Sequence, residues 1–169
     1  TKQRAPTRVC RLRPVTGLNS IFSLCEVLSM SKVAVVYWSG TGNTEAMANA
    51  VADGAKAGGA DVDVLGFGDL TADSVAGYDG LALGCPAMGA EQLEEGEVQP
   101  AWDDIQGALS GKKVVLFGSY GWGDGEWLRT WEEEAKAAGA EIAAESLAVN
   151  GMPDDDAVAD CEALGKALA

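Results

Sequence analysis

The chain contains no histidine, so the commonest general base, triad member and metal ligand is missing, and most hydrolase mechanisms fall away with it. Its four cysteines, Cys10, Cys25, Cys85 and Cys161, are scattered without a CxxC pair. That argues against a zinc site, a dithiol redox motif or a stapled secreted fold, and reads as thiols in a reducing compartment. No run approaches the ~18 apolar residues of a membrane-spanning helix. We therefore expect a cytoplasmic protein with no membrane partner. Nucleotide signatures are lacking too. The P-loop needs GK followed by Ser or Thr, and GK occurs only in GKK (111–113) and GKA (165–167), which removes ATP and GTP. The dinucleotide pattern GxGxxG fails where Glu45 takes the third glycine position, from which it would repel a pyrophosphate.

What is present is an acidic body behind a basic start. Residues 1–29 carry Lys2, Arg4, Arg8, Arg11 and Arg13 against Glu26, so the net charge of −14 divides into +4 there and −18 over residues 30–169. An Arg-rich, acid-poor start with serines fits a transit peptide. We read it instead as a basic N-terminal extension, disordered or foreign to the native protein, with Met30 as the natural start. The acidity of the remainder argues against nucleic acid and for the basic surface of a partner protein. A chain of 169 residues, 47% of them hydrophobic, suits one domain with one core of ordinary size. That domain is expected over residues 30–169, as a monomer.

From Lys32 onward strand and helix signals alternate. KVAVVYW (32–38) is a continuous apolar run of the kind that fills a strand buried on both faces. It leads into a helical segment with Met47, Ala50, Val51 and Gly54 on one face. ADVDVLGF (60–67) and GLALG (80–84) are the next strands. VQPAWDDIQGAL (98–109) has Val98, Trp102, Ile105 and Leu109 at helical spacing, and KKVVLFGS (112–119) is a fourth strand. The segment 126–139 groups Leu128, Trp131 and Ala135, and 141–149 is expected as a fifth, unbroken strand. A last helix over 155–168 carries Val158, Cys161, Leu164, Gly165 and Leu168. Five strands with intervening helices imply an α/β fold with a doubly wound parallel sheet.

Ligands of such sheets sit beyond the carboxyl ends of the strands. Three glycine-rich loops follow strand ends: SGTGNT (39–44), CPAMGAEQ (85–92) and SYGWGDG (119–125). In the first, glycines let successive N–H groups point inward, Ser39, Thr41 and Thr44 add hydroxyls, and the next helix turns its positive end to the same point. A compact terminal monophosphate fits this cradle; a ligand-free turn before a helix is the plainer alternative. Trp122, held between Gly121 and Gly123, is poorly placed for a core and well placed to present a flat face. Met88 is polarizable enough to cover the opposite face of a ring, or it simply packs. Tyr120, Trp38 and Trp127 are expected around the rim. The run Glu94, Glu95, Glu97 reads as a solvated face.

The segments VVYWSGTGNTEAMA, GCPAMG and VVLFGSYGWGDGEW, in this order and spacing, closely resemble the short-chain flavodoxins of anaerobic bacteria. The resemblance covers essentially all of 30–169. It implies the flavodoxin-like fold with strand order 2-1-3-4-5, non-covalently bound FMN, and one-electron transfer at low potential through the semiquinone/hydroquinone couple, a ferredoxin-like role without a substrate of its own. Carried over by residue, it implies that Ser39, Gly40, Thr41, Gly42, Asn43 and Thr44 bind the FMN phosphate and that Ser119 supplies a further hydroxyl. Trp122 would stack on the isoalloxazine, with Met88 and Gly89 against its inner side and Glu91 accepting a hydrogen bond from flavin N3–H. Pro86, Ala87, Tyr120, Gly121 and Gly123 complete the cofactor loops. The resemblance also implies a redox-linked peptide rotation, which we place between Met88 and Gly89, the Met88 carbonyl turning inward toward flavin N5. Glycine accepts both orientations without a side-chain clash. Two positions depart from relatives: Ala90 replaces an acidic or hydroxyl residue, and Pro86 removes a hydroxyl contact.

Two rival readings share the fold. An FMN-dependent quinone or NAD(P)H reductase usually needs extra loops or a dimer interface, for which the sequence shows no signal. A receiver-like signalling domain needs clustered N-terminal aspartates and a late-strand lysine, and 33–45 and 112–119 lack them.

Overall fold

The computed structural model describes residues 30–169; the expectation for the basic extension 1–29 lies outside the described residues. The elements run β1 (Lys32–Tyr37), α1 (Asn43–Ala57), β2 (Asp61–Gly66), a short α2 (Ala72–Val75), β3 (Gly80–Gly84), α3 (Val98–Ile105), β4 (Lys113–Tyr120), α4 (Glu126–Ala137), β5 (Glu141–Ile142), β6 (Leu147–Asn150) and α5 (Asp155–Leu168). All strand pairings between these elements are parallel, in the order β2-β1-β3-β4 with β5 and β6 both on the outer side of β4. This is the predicted 2-1-3-4-5 sheet, with its fifth place shared by two short segments.

The alternation of side chains along a strand divides the core in two. Val33 and Val35 of β1, with Ala82, Val115 and Phe117, face Met47, Val51 and Ala55 of α1 and Cys161, Leu164 and Leu168 of α5. Ala34 and Val36, with Leu81, Leu83, Val114 and Leu116, face Trp102 and Ile105 of α3 and Leu128, Trp131 and Ala135 of α4. Because helices cover both faces, β3 is buried along its whole length and reads as an unbroken apolar run rather than an alternating one. The apolar helix positions expected from spacing are the ones that pack.

On one face, α1 and α5 touch backbone to backbone. A Cβ on Gly54 would lie 2.0 Å from the Glu162 carbonyl oxygen, and one on Gly165 2.0 Å from that of Val51. Only glycine fits at either place.

The fifth strand, expected as one run over 141–149, is divided into the short segments β5 and β6. Val114 of β4 faces Ile142, and Phe117 faces Leu147, so three steps along β4 match five along its partner. The surplus residues leave the ladder as a bulge, which bends and re-aims a strand at a sheet edge. A carboxylate fixes it there: Glu132 of α4 accepts hydrogen bonds from both the backbone N–H and the hydroxyl of Ser146. Strand propensity over 141–149 carries no trace of that contact from 14 residues upstream.

Candidate functional site

Parallel pairing puts the carboxyl ends of β1, β3, β4 and β6 on one side of the sheet, and the loops that follow them meet there. They enclose a cavity of about 330 Å³. Its wall takes Trp38, Gly40, Thr41 and Asn43 from the first loop, Pro86, Ala87 and Met88 from the second, Ser119, Tyr120 and Gly121 from the third, and Gly151 from the turn after β6. Gly151 is a residue that sequence reasoning missed. Its signal was available, since the loop after the fifth strand must end on the same side as the other three. Its N–H donates to the Tyr120 carbonyl at 2.8 Å, which holds the fourth loop against the third.

The first loop is arranged to accept an anion. Gly42, at φ +90°, stands immediately before α1, and its own N–H is taken by Ser39 Oγ at 2.9 Å. The first bond of the helix is from Ala46 N–H to the Gly42 carbonyl, and no group among the described residues accepts from the N–H of Asn43, Thr44 or Glu45. Three backbone donors at the positive end of a 15-residue helix thus remain for a ligand. Beneath them Thr44 is 1% and Ser119 5% exposed, with Thr44 Oγ1 and Ser119 Oγ 3.2 Å apart. Two hydroxyls hold two hydrogens and one O···O contact uses one. The other is free to donate to a third acceptor.

Of the other predicted residues, Gly89, Glu91, Trp122 and Gly123 do not line this cavity but continue the same second and third loops. Trp122 is 60% exposed between Gly121 and Gly123 and presents an open aromatic face. Trp38 lines the wall, as does Tyr120, which meets Trp127 at 5.8 Å between ring centroids. Trp127 itself is no rim residue: it is buried, and its indole N–H donates to the Cys85 carbonyl at 3.1 Å, because the helix that carries it packs its apolar face on β4. Glu94 is not merely solvated either. Its carboxylate accepts from the N–H groups of Gly96, Glu97 and Val98, the first turn leading into α3. Burial opposes its ionisation, but these bonds hold its carboxyl below the usual carboxylate range.

The second loop corrects one expectation. Met88 N–H donates to the Gln92 carbonyl at 3.0 Å, and Gln92 N–H donates to the Met88 carbonyl at 2.9 Å. The Met88 carbonyl is thereby held and cannot turn inward without losing a hydrogen bond. The next peptide, Gly89–Ala90, takes part in no hydrogen bond among the described residues, and Gly89 lies at φ +52°. The peptide without a hydrogen bond is thus one residue further on than the one expected to rotate. Glu91 is also only partly available: its Oε1 accepts from Asp124 N–H at 2.9 Å and Gly125 N–H at 3.0 Å. A single carboxylate oxygen remains for another donor.

Among known proteins, the family model described as flavodoxin matches residues 35–165. The chain belongs to the flavodoxin family. It is 50% identical over 137 residues to the flavodoxin of Megasphaera elsdenii, covering 81% of this chain and 98% of that protein, and 47% identical over 135 residues to that of Clostridium beijerinckii, covering 80% and 97%. In three dimensions it resembles the two-electron reduced flavodoxin of Megasphaera elsdenii with a TM-score of 0.74 at 48% identity, over 80% of this chain and 97% of that one. A flavodoxin from an archaeon gives the same TM-score at 29% identity, over 82% and 96%. As a flavodoxin this protein is an electron carrier with non-covalently bound FMN, and not an enzyme with its own substrate. The residues present fit that group. The unclaimed amides of α1 and the free hydroxyl hydrogen suit a phosphate, and the open face of Trp122, next in the chain to the cavity-lining Gly121, suits a planar ring. Among the described residues no helix is long and apolar enough to cross a membrane.

Proposed function

We propose that each loop of this flavodoxin has a distinct share in holding FMN for low-potential electron transfer, and that the observation carrying this reading is the buried Thr44–Ser119 pair beneath three unclaimed amides. FMN supplies the one-electron chemistry. Ser39 to Thr44 cradle its phosphate with backbone N–H groups and hydroxyls, and Ser119, through Thr44, fixes the floor of that cradle. Trp122 covers the outer ring face, Met88 and Gly89 the inner one, and the second carboxylate oxygen of Glu91 receives N3–H. Pro86, Ala87, Tyr120, Gly121 and Gly123 close the pocket and exclude water. The first loop, 39–44, holds no Lys or Arg. The phosphate dianion is then met by dipoles alone, which leaves its charge largely uncompensated near the ring. One such charge ~10 Å away at an effective dielectric of ~20 opposes a further negative charge by roughly 1.7 kcal/mol before salt screening. A tenfold change in equilibrium constant is about 59 mV for one electron, so each such charge lowers the potential by tens of millivolts.

The test compares FMN with riboflavin, which lacks the phosphate, on protein stripped of cofactor. FMN should restore the yellow complex and riboflavin should bind far more weakly. Equal affinities would remove the phosphate assignment. Adding NADPH alone to the FMN-loaded protein should leave it oxidised, whereas rapid bleaching would favour a reductase.

The partner we propose is a basic protein surface that docks on the cofactor side. Lys56, Lys136 and Lys166 lie in the last turns of α1, α4 and α5, and Lys32 and Lys113 begin β1 and β4, with Lys112 just before. In a parallel α/β sheet helix ends and strand starts share the side opposite the cavity. Glu45, Glu126, Asp155 and Asp156 fill the first turns of the same three helices, on the cavity side. The remaining cation of the described residues, Arg129, is bound to Asp124 at 3.0 Å. Trp122 and Met152, 60% and 61% exposed, give this acidic side an apolar centre. Electron transfer to a basic haem protein should slow steeply with ionic strength; a rate independent of salt would refute the docking face. The protein acts as a cytoplasmic monomer in this reading, and a chain beginning at Met30 should bind FMN and melt like the full one. Loss of FMN binding on that truncation would make 1–29 part of the fold.

A further inference from the structure

Glu91 stands in a conformation that it should avoid. At φ +54° it is the only non-glycine residue with positive φ among those described, and such a backbone is uncommon for a residue that is not Asn, Asp or Gly. Sparsely populated backbone of this kind persists only where its surroundings impose it. Here the surroundings are in the third loop, 33 and 34 residues away: Glu91 Oε1 accepts from the N–H of Asp124 and of Gly125, the latter just ahead of α4. Neither α4 nor its flanking residue provides a side-chain cap of its own. The carboxylate of the second loop therefore does the work of a cap, at the end of a helix where negative charge is favoured. Space is reserved for it, since a Cβ on Gly123 would lie 2.1 Å from Glu91 Oε1.

We infer that Glu91 is a positioning residue, a strap whose carboxylate locks the Gly89–Glu91 turn of the second loop to the 123–125 segment of the third. On the flavodoxin reading, the first of these carries, beside the ring, the peptide that has no hydrogen bond among the described residues, and the second adjoins the tryptophan that covers it. The strap makes the two move together. One oxygen binds the third loop while the other stays free for a ligand donor, so a change in the turn is transmitted to the backbone next to Trp122, and the reverse. Nothing in this coupling requires cofactor to be present.

Amide hydrogen exchange in the FMN-free protein tests the strap directly. Glu91→Ala should speed exchange of Asp124 and Gly125 N–H by about tenfold or more, while amides of β1 and β3 stay unchanged. Glu91→Gln keeps an acceptor oxygen for both amides and should stay within about threefold of wild type. Gly123→Ala should also speed exchange at 124 and 125, because its Cβ displaces the carboxylate and residue 123 sits at φ +91°, which alanine resists. A second readout follows in the loaded protein: Glu91→Ala should change the potential and shift the Trp122 indole N–H resonance together, and Glu91→Gln should restore that resonance. Unchanged exchange at 124 and 125 in Glu91→Ala overturns the strap, even if FMN binds as proposed. A failure of FMN to bind wild type would count against the cofactor site and leave the exchange result to stand by itself.

Discussion

Thr44 Oγ1 and Ser119 Oγ lie 3.2 Å apart across 75 residues of sequence, and no other Ser, Thr, amide or charged side chain of the described residues is buried as they are. The pair joins the start of α1 to the end of β4, so the anion cradle and the sheet share one buried hydrogen bond. Thr44→Val and Ser119→Ala each leave one hydroxyl buried without its partner, at about 1–3 kcal/mol of stability. The double variant removes both groups and should lose less than the sum of the singles. Urea unfolding of FMN-free protein gives the three values, and strict additivity would show that the two hydroxyls do not depend on each other.

Gly165→Ala sets two effects of opposite sign against each other. Helix propensity alone favours alanine by about 1 kcal/mol. The new Cβ, however, would meet the Val51 carbonyl oxygen at 2.0 Å, where backbone must move to admit it. Overpacking of this kind costs about 1–3 kcal/mol even after relaxation, so the variant should be less stable despite its better propensity. A midpoint in urea equal to or above that of wild type would mean that α1 and α5 can separate freely.

How much of this was readable beforehand follows from the range of each interaction. The strands, the apolar faces of α1, α3, α4 and α5, and the convergence of three loops depend on local period and on a general rule for parallel sheets, and these appear as expected. The break between β5 and β6 depends on Glu132 reaching Ser146, and the fixed Met88 carbonyl on its pairing with Gln92. Neither contact has a signature in composition or period. Glu91 shows the same limit at the site itself, since its residue type suggested an acceptor but not that the third loop already uses one of its oxygens.

The cysteine at the base of the second loop should be chemically silent. Cys85 is fully buried, its Sγ donating to the Pro86 carbonyl at 3.3 Å and accepting from Glu94 N–H at 3.5 Å, and burial pushes its thiol up to about 12. Burial and then the charge of Asp160 do the same for Cys161, also to about 12. Reactivity needs the thiolate. With Cys10 and Cys25 changed to serine, the folded protein should resist an aromatic disulfide reagent at mild alkaline pH and react fully in urea. Reaction of the folded protein at the rate of a free thiol would contradict the burial of both.

Glu132 should leave a mark on acid stability. Burial raises its pKa, but hydrogen bonds from Lys136 and Ser146 together with the Lys136 charge outweigh this and hold it below the usual carboxylate range. A depressed folded value means that its contribution is complete at neutral pH and is lost as pH falls through the carboxylate range toward that depressed value. The net charge of −18 over residues 30–169 acts in the opposite direction, since protonating acids relieves their mutual repulsion. The Glu132 effect therefore appears in a difference: wild type minus Glu132→Gln should shrink on acidification, read from urea midpoints at neutral and acidic pH. A difference independent of pH would show that the carboxylate's charge has no part in holding Ser146.

Gly89 bears on how the second loop responds to the redox state of FMN. Oxidised flavin N5 only accepts a hydrogen bond, whereas the reduced ring can carry N5–H and needs an acceptor within reach. The Met88 carbonyl is held by Gln92 N–H at 2.9 Å, so the acceptor that can be offered without breaking a bond is the Gly89 carbonyl, on the peptide that has no partner among the described residues. The turn that carries this carbonyl holds residue 89 at φ +52°, which glycine adopts freely and a β-branched residue resists, so a β-branched residue there should rebuild the turn. The space around that Cα is open, so a larger side chain would act through backbone conformation and not through a clash. In Gly89→Val the acceptor should be withheld. A neutral hydrogen bond worth about 0.5–1.5 kcal/mol corresponds to about 20–65 mV for one electron. The first reduction potential of the variant should become more negative by that order, with affinity for oxidised FMN within about threefold of wild type because the phosphate loop is untouched. A redox titration followed by absorbance decides it. An unchanged first potential would mean that the Gly89–Ala90 peptide does not respond to the flavin.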